Sequence, residues 1–204
     1  MEIKTSAGNA IAELDERPSP RFLLALTHGA GGGPASPDVL AARDAAVPLG
    51  GVVALVTQPY RVRGARAPGS PARQDAAWLE VMAALRDRFP RIPLVQGGRS
   101  NGARLACRTA QPAGARAVLA LAFPLHPPGR PERSRADELR AAGTPVLVIN
   151  GDRDPFGVPD AADADRVVVL PGERHALSGN TSAVTAAVRS WLGEVLSAGA
   201  VRPG

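Results

Sequence analysis

The chain has 204 residues, 45% hydrophobic and 21% charged, which fits one globular domain spanning 1–204 and a core large enough to need no disulfide or metal as a staple. A single cysteine, Cys107, excludes an internal disulfide framework and a cysteine-rich metal site, and no metal or cofactor is expected. The net charge of +5 comes from 23 Arg and one Lys scattered along the chain, with only seven aromatic residues between them, so a nucleic-acid groove is not expected either.

In chain order, Met1–Lys4 and Ala10–Leu14 suggest an edge hairpin. Phe22–Thr27 is a continuous apolar run of the kind a strand buried on both faces shows, and it ends in the turn His28-Gly-Ala-Gly-Gly-Gly33. Ser36-Pro37 reads as an N-cap with proline at the first helical position, opening a helix to about Val47. Val52–Thr57 is a second strand. Ser70-Pro71 repeats the cap signal for a long helix to about Phe89.

Ile92–Gln96 predicts a third strand, then a glycine-rich turn, then a helix over Asn101–Ala110. Ala117–Ala122 is a fourth strand, followed by the proline-rich loop Phe123–Pro131 and a helix near Glu132–Ala142. Pro145–Asn150 and Arg166–Leu170 are strands five and six, and the last helix covers about Thr181–Ala198. Strand and helix alternate, which predicts an α/β fold with a mostly parallel sheet and helices on both faces. Chemistry in such folds sits outside the carboxyl ends of the strands. The longest apolar run is about seven residues, and no basic start with an apolar stretch opens the chain, so a cytoplasmic protein without a membrane partner is expected.

Gly98-Arg99-Ser100-Asn101-Gly102 fits G-x-S-x-G, the strand-to-helix turn that lifts a nucleophilic serine out of the backbone. The pattern alone is weak in a chain with 22 glycines, but a buried-strand run before it and a helical pattern after it supply the context. A serine nucleophile needs a base. His175 lies in the loop before the last helix, and the chain order nucleophile, acid, base favours it over His126. The acid belongs after the fifth strand, where Asp152 and Asp154 are equally available. The N–H of Asn101 and one N–H of the first glycine-rich loop, Ala30 before Gly31, are the candidate oxyanion donors. His28 is expected to order that loop. Arg61, Arg63 and Arg99 fall in or beside the same loops and could favour an anionic substrate group, with Gly31 and His126 also near the substrate. A dinucleotide reading of the glycine-rich loop fails, because no acidic residue ends the next strand and the helix starts too late.

Five motifs carry a family resemblance: His28-Gly-Ala-Gly-Gly-Gly33, Pro59-Tyr-Arg61, Gly97-Gly-Arg-Ser-Asn-Gly-Ala-Arg104, Phe123-Pro-Leu-His-Pro-Pro-Gly-Arg-Pro131 and Gly151-Asp-Arg-Asp-Pro-Phe-Gly157. With them the chain resembles the α/β-hydrolases of the small dienelactone-hydrolase-like kind, and more narrowly a short bacterial branch related to a subunit of the chromatin NSL complex. The resemblance implies a single-domain α/β-hydrolase fold and points to the second aspartate, Asp154, as the acid; the short, proline-rich Phe123–Pro131 loop leaves no room for a cap. Dienelactone hydrolase has a cysteine nucleophile where this chain has Ser100, so its substrate does not carry over. Two functions stay in view: a serine hydrolase acting on a small ester or acyl substrate, and a binding or scaffold protein that keeps the fold.

Overall fold

The computed structural model describes residues 1–198. Its strands are β1 (Glu2–Thr5), β2 (Gly8–Asp15), β3 (Phe22–Thr27), β4 (Gly51–Thr57), β5 (Leu94–Arg99), β6 (Ala117–Leu121), β7 (Val146–Gly151) and β8 (Arg166–Leu170). They form one sheet in the order β1-β2-β4-β3-β5-β6-β7-β8. The β1–β2 hairpin joins antiparallel, and every pair from β4 to β8 is parallel. β3, β6 and β7 are buried at every position, which is why they appear in the sequence as unbroken apolar runs.

The helices are α1 (Pro37–Ala46), α2 (Pro59–Val62), α3 (Pro71–Arg88), α4 (Asn101–Ala113), α5 (Ala136–Arg140) and α6 (Thr181–Ser197). Alternate residues of each strand feed two cores. Leu23 and Ala25 of β3 face Trp78, Met82 and Leu85 of α3 and Leu105 of α4. Phe22, Leu24 and Leu26 face Val39 of α1 and Val188, Trp191 and Leu192 of α6. Each such leucine, fully buried, contributes about 1.5–3 kcal/mol. The result is a single-domain α/β-hydrolase fold. Between β6 and β7 the chain holds α5 and loop, and no helical cap interrupts the sheet among the described residues.

Three elements depart from expectation for local reasons. β5 runs on to Arg99 because its glycines stay in register with both neighbours, Gly98 opposite Thr27 of β3 and Ala120 of β6. α5 starts only at Ala136, since the preceding Arg135 is tied back to the proline-rich loop by its N–H to Leu125 O and its guanidinium to Pro124 O. The single-turn helix α2, with Pro59 at its first position, was not foreseen in the sequence. α1 begins where the Ser36-Pro37 signal places it, yet the Ser36 hydroxyl donates to Asp38 at 2.6 Å instead of capping the helix.

Candidate active site

Ser100 joins β5 to α4 with φ 55° and ψ −113°, a backbone conformation that side chains rarely adopt. Holding a residue there costs on the order of 1–3 kcal/mol, which the surrounding contacts must offset. The Ser100 N–H donates to Leu121 O at 2.9 Å and pins the turn. The two flanking glycines are required by close approach. A Cβ on Gly98 would stand 2.6 Å from Thr27 O, and one on Gly102 would stand 2.8 Å from His28 O. Gly102→Ala is therefore expected to cost about 1–3 kcal/mol by overpacking. Gly32→Ala, where nothing lies within 4 Å, is the control and should stay within about 0.5 kcal/mol. Urea unfolding of both variants measures the difference, and equal midpoints would remove the close-approach argument.

The structure brings Ser100, His175 and Asp154 together from three loops at the carboxyl ends of β5, β8 and β7. His175 Nε2 lies 3.0 Å from Ser100 Oγ, and His175 Nδ1 lies 2.8 Å from Asp154 Oδ2. A carboxylate only accepts, so Nδ1 carries the imidazole proton and Nε2 accepts from the serine hydroxyl. The Asp154 side chain is fully buried. Its Oδ1 accepts from Phe156 N–H at 2.9 Å, and its Oδ2 also accepts from Asn150 Nδ2 at 3.3 Å. Asp152 is exposed and serves the adjoining turn, its Oδ1 accepting from Gly172 N–H at 2.7 Å. The Phe156 ring packs beside the imidazole, centroids 4.3 Å apart.

The glycine-rich loop after β3 lies against the serine turn; a Cβ on Gly29 would stand 3.3 Å from Ser100 Cβ. Buried His28 holds this loop. Its Nε2 accepts from Gln58 N–H at 3.0 Å and its Nδ1 donates to Gly29 O at 2.8 Å, so both nitrogens are occupied in the neutral ring. Burial lowers its pKa, which keeps it neutral. The Tyr60 hydroxyl donates to Ala30 O at 3.0 Å. The N–H groups of Ala30, Gly31 and Asn101 have no protein acceptor among the described residues.

The other expected substrate contacts fall in different places. Arg99 faces inward: its Nε stands 2.9 Å from Asp38 Oδ2, without hydrogen-bond alignment, and a terminal nitrogen donates to His175 O at 2.7 Å. Asp38 is fully buried, and desolvation raises its pKa while the Arg99 charge works against that rise. Arg61 donates to Ala65 O, and its charge reaches both Tyr60 and His28. Arg63 donates to Ala7 O in the β1–β2 turn, separated from β5 by β4 and β3. His126 donates from Nδ1 to Pro127 O at 2.9 Å and packs its other nitrogen near Gly157, half-buried beside the Asp154 turn. Asn150, Tyr60 and Asp38 were not singled out as individual residues in the sequence. The Pro-Tyr-Arg motif held a signal for Tyr60, whereas Asp38 had none.

The sequence matches the alpha/beta hydrolase domain family over residues 20–181. No curated protein sequence matches it. Among solved structures, the chain is similar to Est1E from Butyrivibrio proteoclasticus with ferulic acid bound, at 18% identity and a TM-score of 0.75, covering 97% of this chain and 99% of that one. It is similar to XC6422 from Xanthomonas campestris, described as an α/β serine hydrolase without a lid, at 19% identity and a TM-score of 0.75, covering 95% and 93%. A dienelactone hydrolase from Anabaena variabilis gives 17% identity and a TM-score of 0.73, covering 95% of each chain. At such identities the likeness is one of fold. The family match, which extends from just before β3 to the first residue of α6, is what makes this chain a member of the α/β-hydrolase domain family.

Proposed function

We propose that the protein is a serine hydrolase that cleaves a small ester or related acyl substrate through an acyl-enzyme. Ser100 Oγ attacks the carbonyl while His175 Nε2 takes its proton, and Asp154 holds the resulting imidazolium. The carbonyl oxygen, now an oxyanion, is held by the N–H groups of Ala30 and Asn101. The tetrahedral intermediate expels the alcohol, which takes the proton from His175. Water then attacks the acyl carbonyl while His175 takes its proton; the acyl–Oγ bond breaks, Ser100 Oγ recovers the proton from His175, and the acid leaves. The observation that carries this reading is the unbroken relay of 3.0 Å and 2.8 Å from a strained serine to a buried carboxylate. Neighbours bearing the names esterase and serine hydrolase support it. A fluorophosphonate probe should label Ser100 in the purified protein. Folded protein that stays unlabelled at Ser100 would sink the proposal. The narrower kinship with the short bacterial branch rests on the five sequence motifs.

We assign Arg99 a positioning role, because its charge is taken up by Asp38 and the carbonyl of His175 itself. Arg61, on the short helix that also carries Tyr60, keeps the role of favouring an anionic substrate group. Arg99→Met is expected to lower kcat by roughly 10- to 100-fold, the scale of a misplaced catalytic group, with KM changed less than about threefold. A rise in KM confined to carboxylate-bearing esters would instead make Arg99 a substrate contact.

Acyl length follows from the loop after β6. Residues Phe123–Pro131 hold Pro124, Pro127, Pro128, Gly129 and Pro131, too short and stiff for a lid. Carbons beyond about the fourth then stay in water and forgo the roughly 0.8 kcal/mol that each buried methylene gains. p-Nitrophenyl butyrate should exceed the palmitate ester in kcat/KM by at least about tenfold, with the palmitate kept below its micelle concentration. A palmitate rate equal to or above butyrate would contradict the capless reading.

A further inference from the structure

A cavity of about 80 Å³ lies between α2, α3 and the end of β4, and it has no part in the chemistry proposed above. Its inner wall is apolar, built from Val56, Ala77, Trp78 and Val81. Gln58 also lines it and is only 4% exposed. The Gln58 amide nitrogen donates to Thr27 Oγ1 at 3.2 Å, which fixes this side chain in the wall.

The mouth is cationic. Exposed Arg63 and Arg73 line it, Arg63 also donating to Ala7 O, and the segment 61–73 holds no acidic residue. Among the described residues neither of these two arginines forms an ion pair with a carboxylate. An apolar interior under an uncompensated cationic rim suits an anion with an apolar tail. The volume limits the tail: cavities of about 150 Å³ take a benzene ring, and this one is smaller, so a short aliphatic chain fits better than a ring.

None of Ser100, His175 and Asp154 lines the cavity, but two of its walls reach the serine turn. Tyr60 holds Ala30 O at 3.0 Å, and Gln74 Oε1 accepts from Asn101 Nδ2 at 2.7 Å. These are the two segments whose N–H groups have no protein acceptor.

We infer that this cavity is a second binding site, separate from the serine, for a short aliphatic carboxylate whose chain lies among Val56, Trp78 and Val81 and whose charge meets Arg63 and Arg73. An occupant presses on Tyr60 and Gln74 and so is felt at Ala30 and Asn101.

Pentanoate is the probe, titrated by ligand-observed NMR against Ser100→Ala protein, so that binding is read apart from turnover. Saturable binding is expected, at least about fivefold tighter than 1-pentanol, which shares the chain and lacks the charge, and tighter than benzoate. The double variant Arg63→Ala/Arg73→Ala should weaken pentanoate by at least about fivefold, and Ala77→Leu, which fills the cavity, should abolish binding. Thermal melts establish that the variants fold; where Ala77→Leu does not, the arginine variant and the alcohol comparison decide. In the active protein, saturating pentanoate should change the rate of fluorophosphonate labelling of Ser100 by at least about twofold, and the cavity-filled variant should not respond. Absence of saturable binding, or binding indifferent to both the arginine and the filling substitutions, overturns the inference. So does loss of pentanoate binding once Ser100 carries the phosphonate, which would place the ligand in the serine pocket. The binding arms need no active serine, so an unreactive Ser100 would end the proposed function without touching this site.

Discussion

Ser100→Ala is expected to lower the kcat for p-nitrophenyl butyrate by about 10⁶ and to abolish fluorophosphonate labelling, while the protein still unfolds as the wild type does. In the proposed mechanism nucleophile, base and acid work as one unit, so removal of the attacking atom loses nearly all that the three supply together. What survives is the rate that binding and the two free N–H groups provide, roughly 10³–10⁴ above water. Stability should barely change, for two physical reasons. Alanine keeps the Cβ that already lies near Gly29, and its backbone meets the same strain at φ 55°. The one hydrogen bond removed is Oγ to His175 Nε2, and the imidazole is partly exposed, so water can replace the hydroxyl. Turnover within about tenfold of wild type, in a sample free of contaminating esterase, would take Ser100 out of the mechanism.

How much of this was legible in the sequence depends on the range of the interactions involved. Parallel strands covered on both faces leave apolar runs, so Phe22–Thr27 could be read to its last residue. The end of β5 could not, because Gly97 and Gly98 have no side chains to continue a hydrophobic pattern. What keeps them in the strand is the backbone of β3 and β6; a Cβ on Gly97 would stand 2.4 Å from Leu119 O. That Ser100 and His175 would meet was legible from motif and chain order. The ion partner of Arg99 was hidden for a related reason. An arginine beside the nucleophile reads as a substrate contact, and its partner Asp38 sits 61 positions earlier, on a helix that no local pattern links to it. The cavity beside Tyr60 was illegible too, since its walls come from β4, α2 and α3 and close only in three dimensions.

The choice between Asp152 and Asp154 shows the same limit, and substitution tests it sharply. Two aspartates two positions apart after a strand look alike in the sequence, but the fold gives them different partners. Both oxygens of Asp154 act as acceptors: Oδ2 faces His175 Nδ1 and Asn150 Nδ2, and Oδ1 faces Phe156 N–H. Asparagine at 154 has one acceptor oxygen and one NH₂. If the NH₂ turns to Phe156 N–H, two donors face each other in a buried site. If it turns to His175, the imidazole must accept at Nδ1 and carry its proton on Nε2, facing the Ser100 hydroxyl it is meant to deprotonate. Either way the imidazolium also loses the buried negative charge that stabilises it. Asp154→Asn is therefore expected to lower kcat by roughly 10⁴. Asp152→Asn should cost less than about tenfold, because Asp152 is exposed and an asparagine oxygen can still accept from Gly172 N–H. Steady-state rates of the two variants, with melting temperatures to show that both are folded, decide the matter. A larger loss at 152 than at 154 would assign the acid to the other aspartate and break the relay from which the function was inferred.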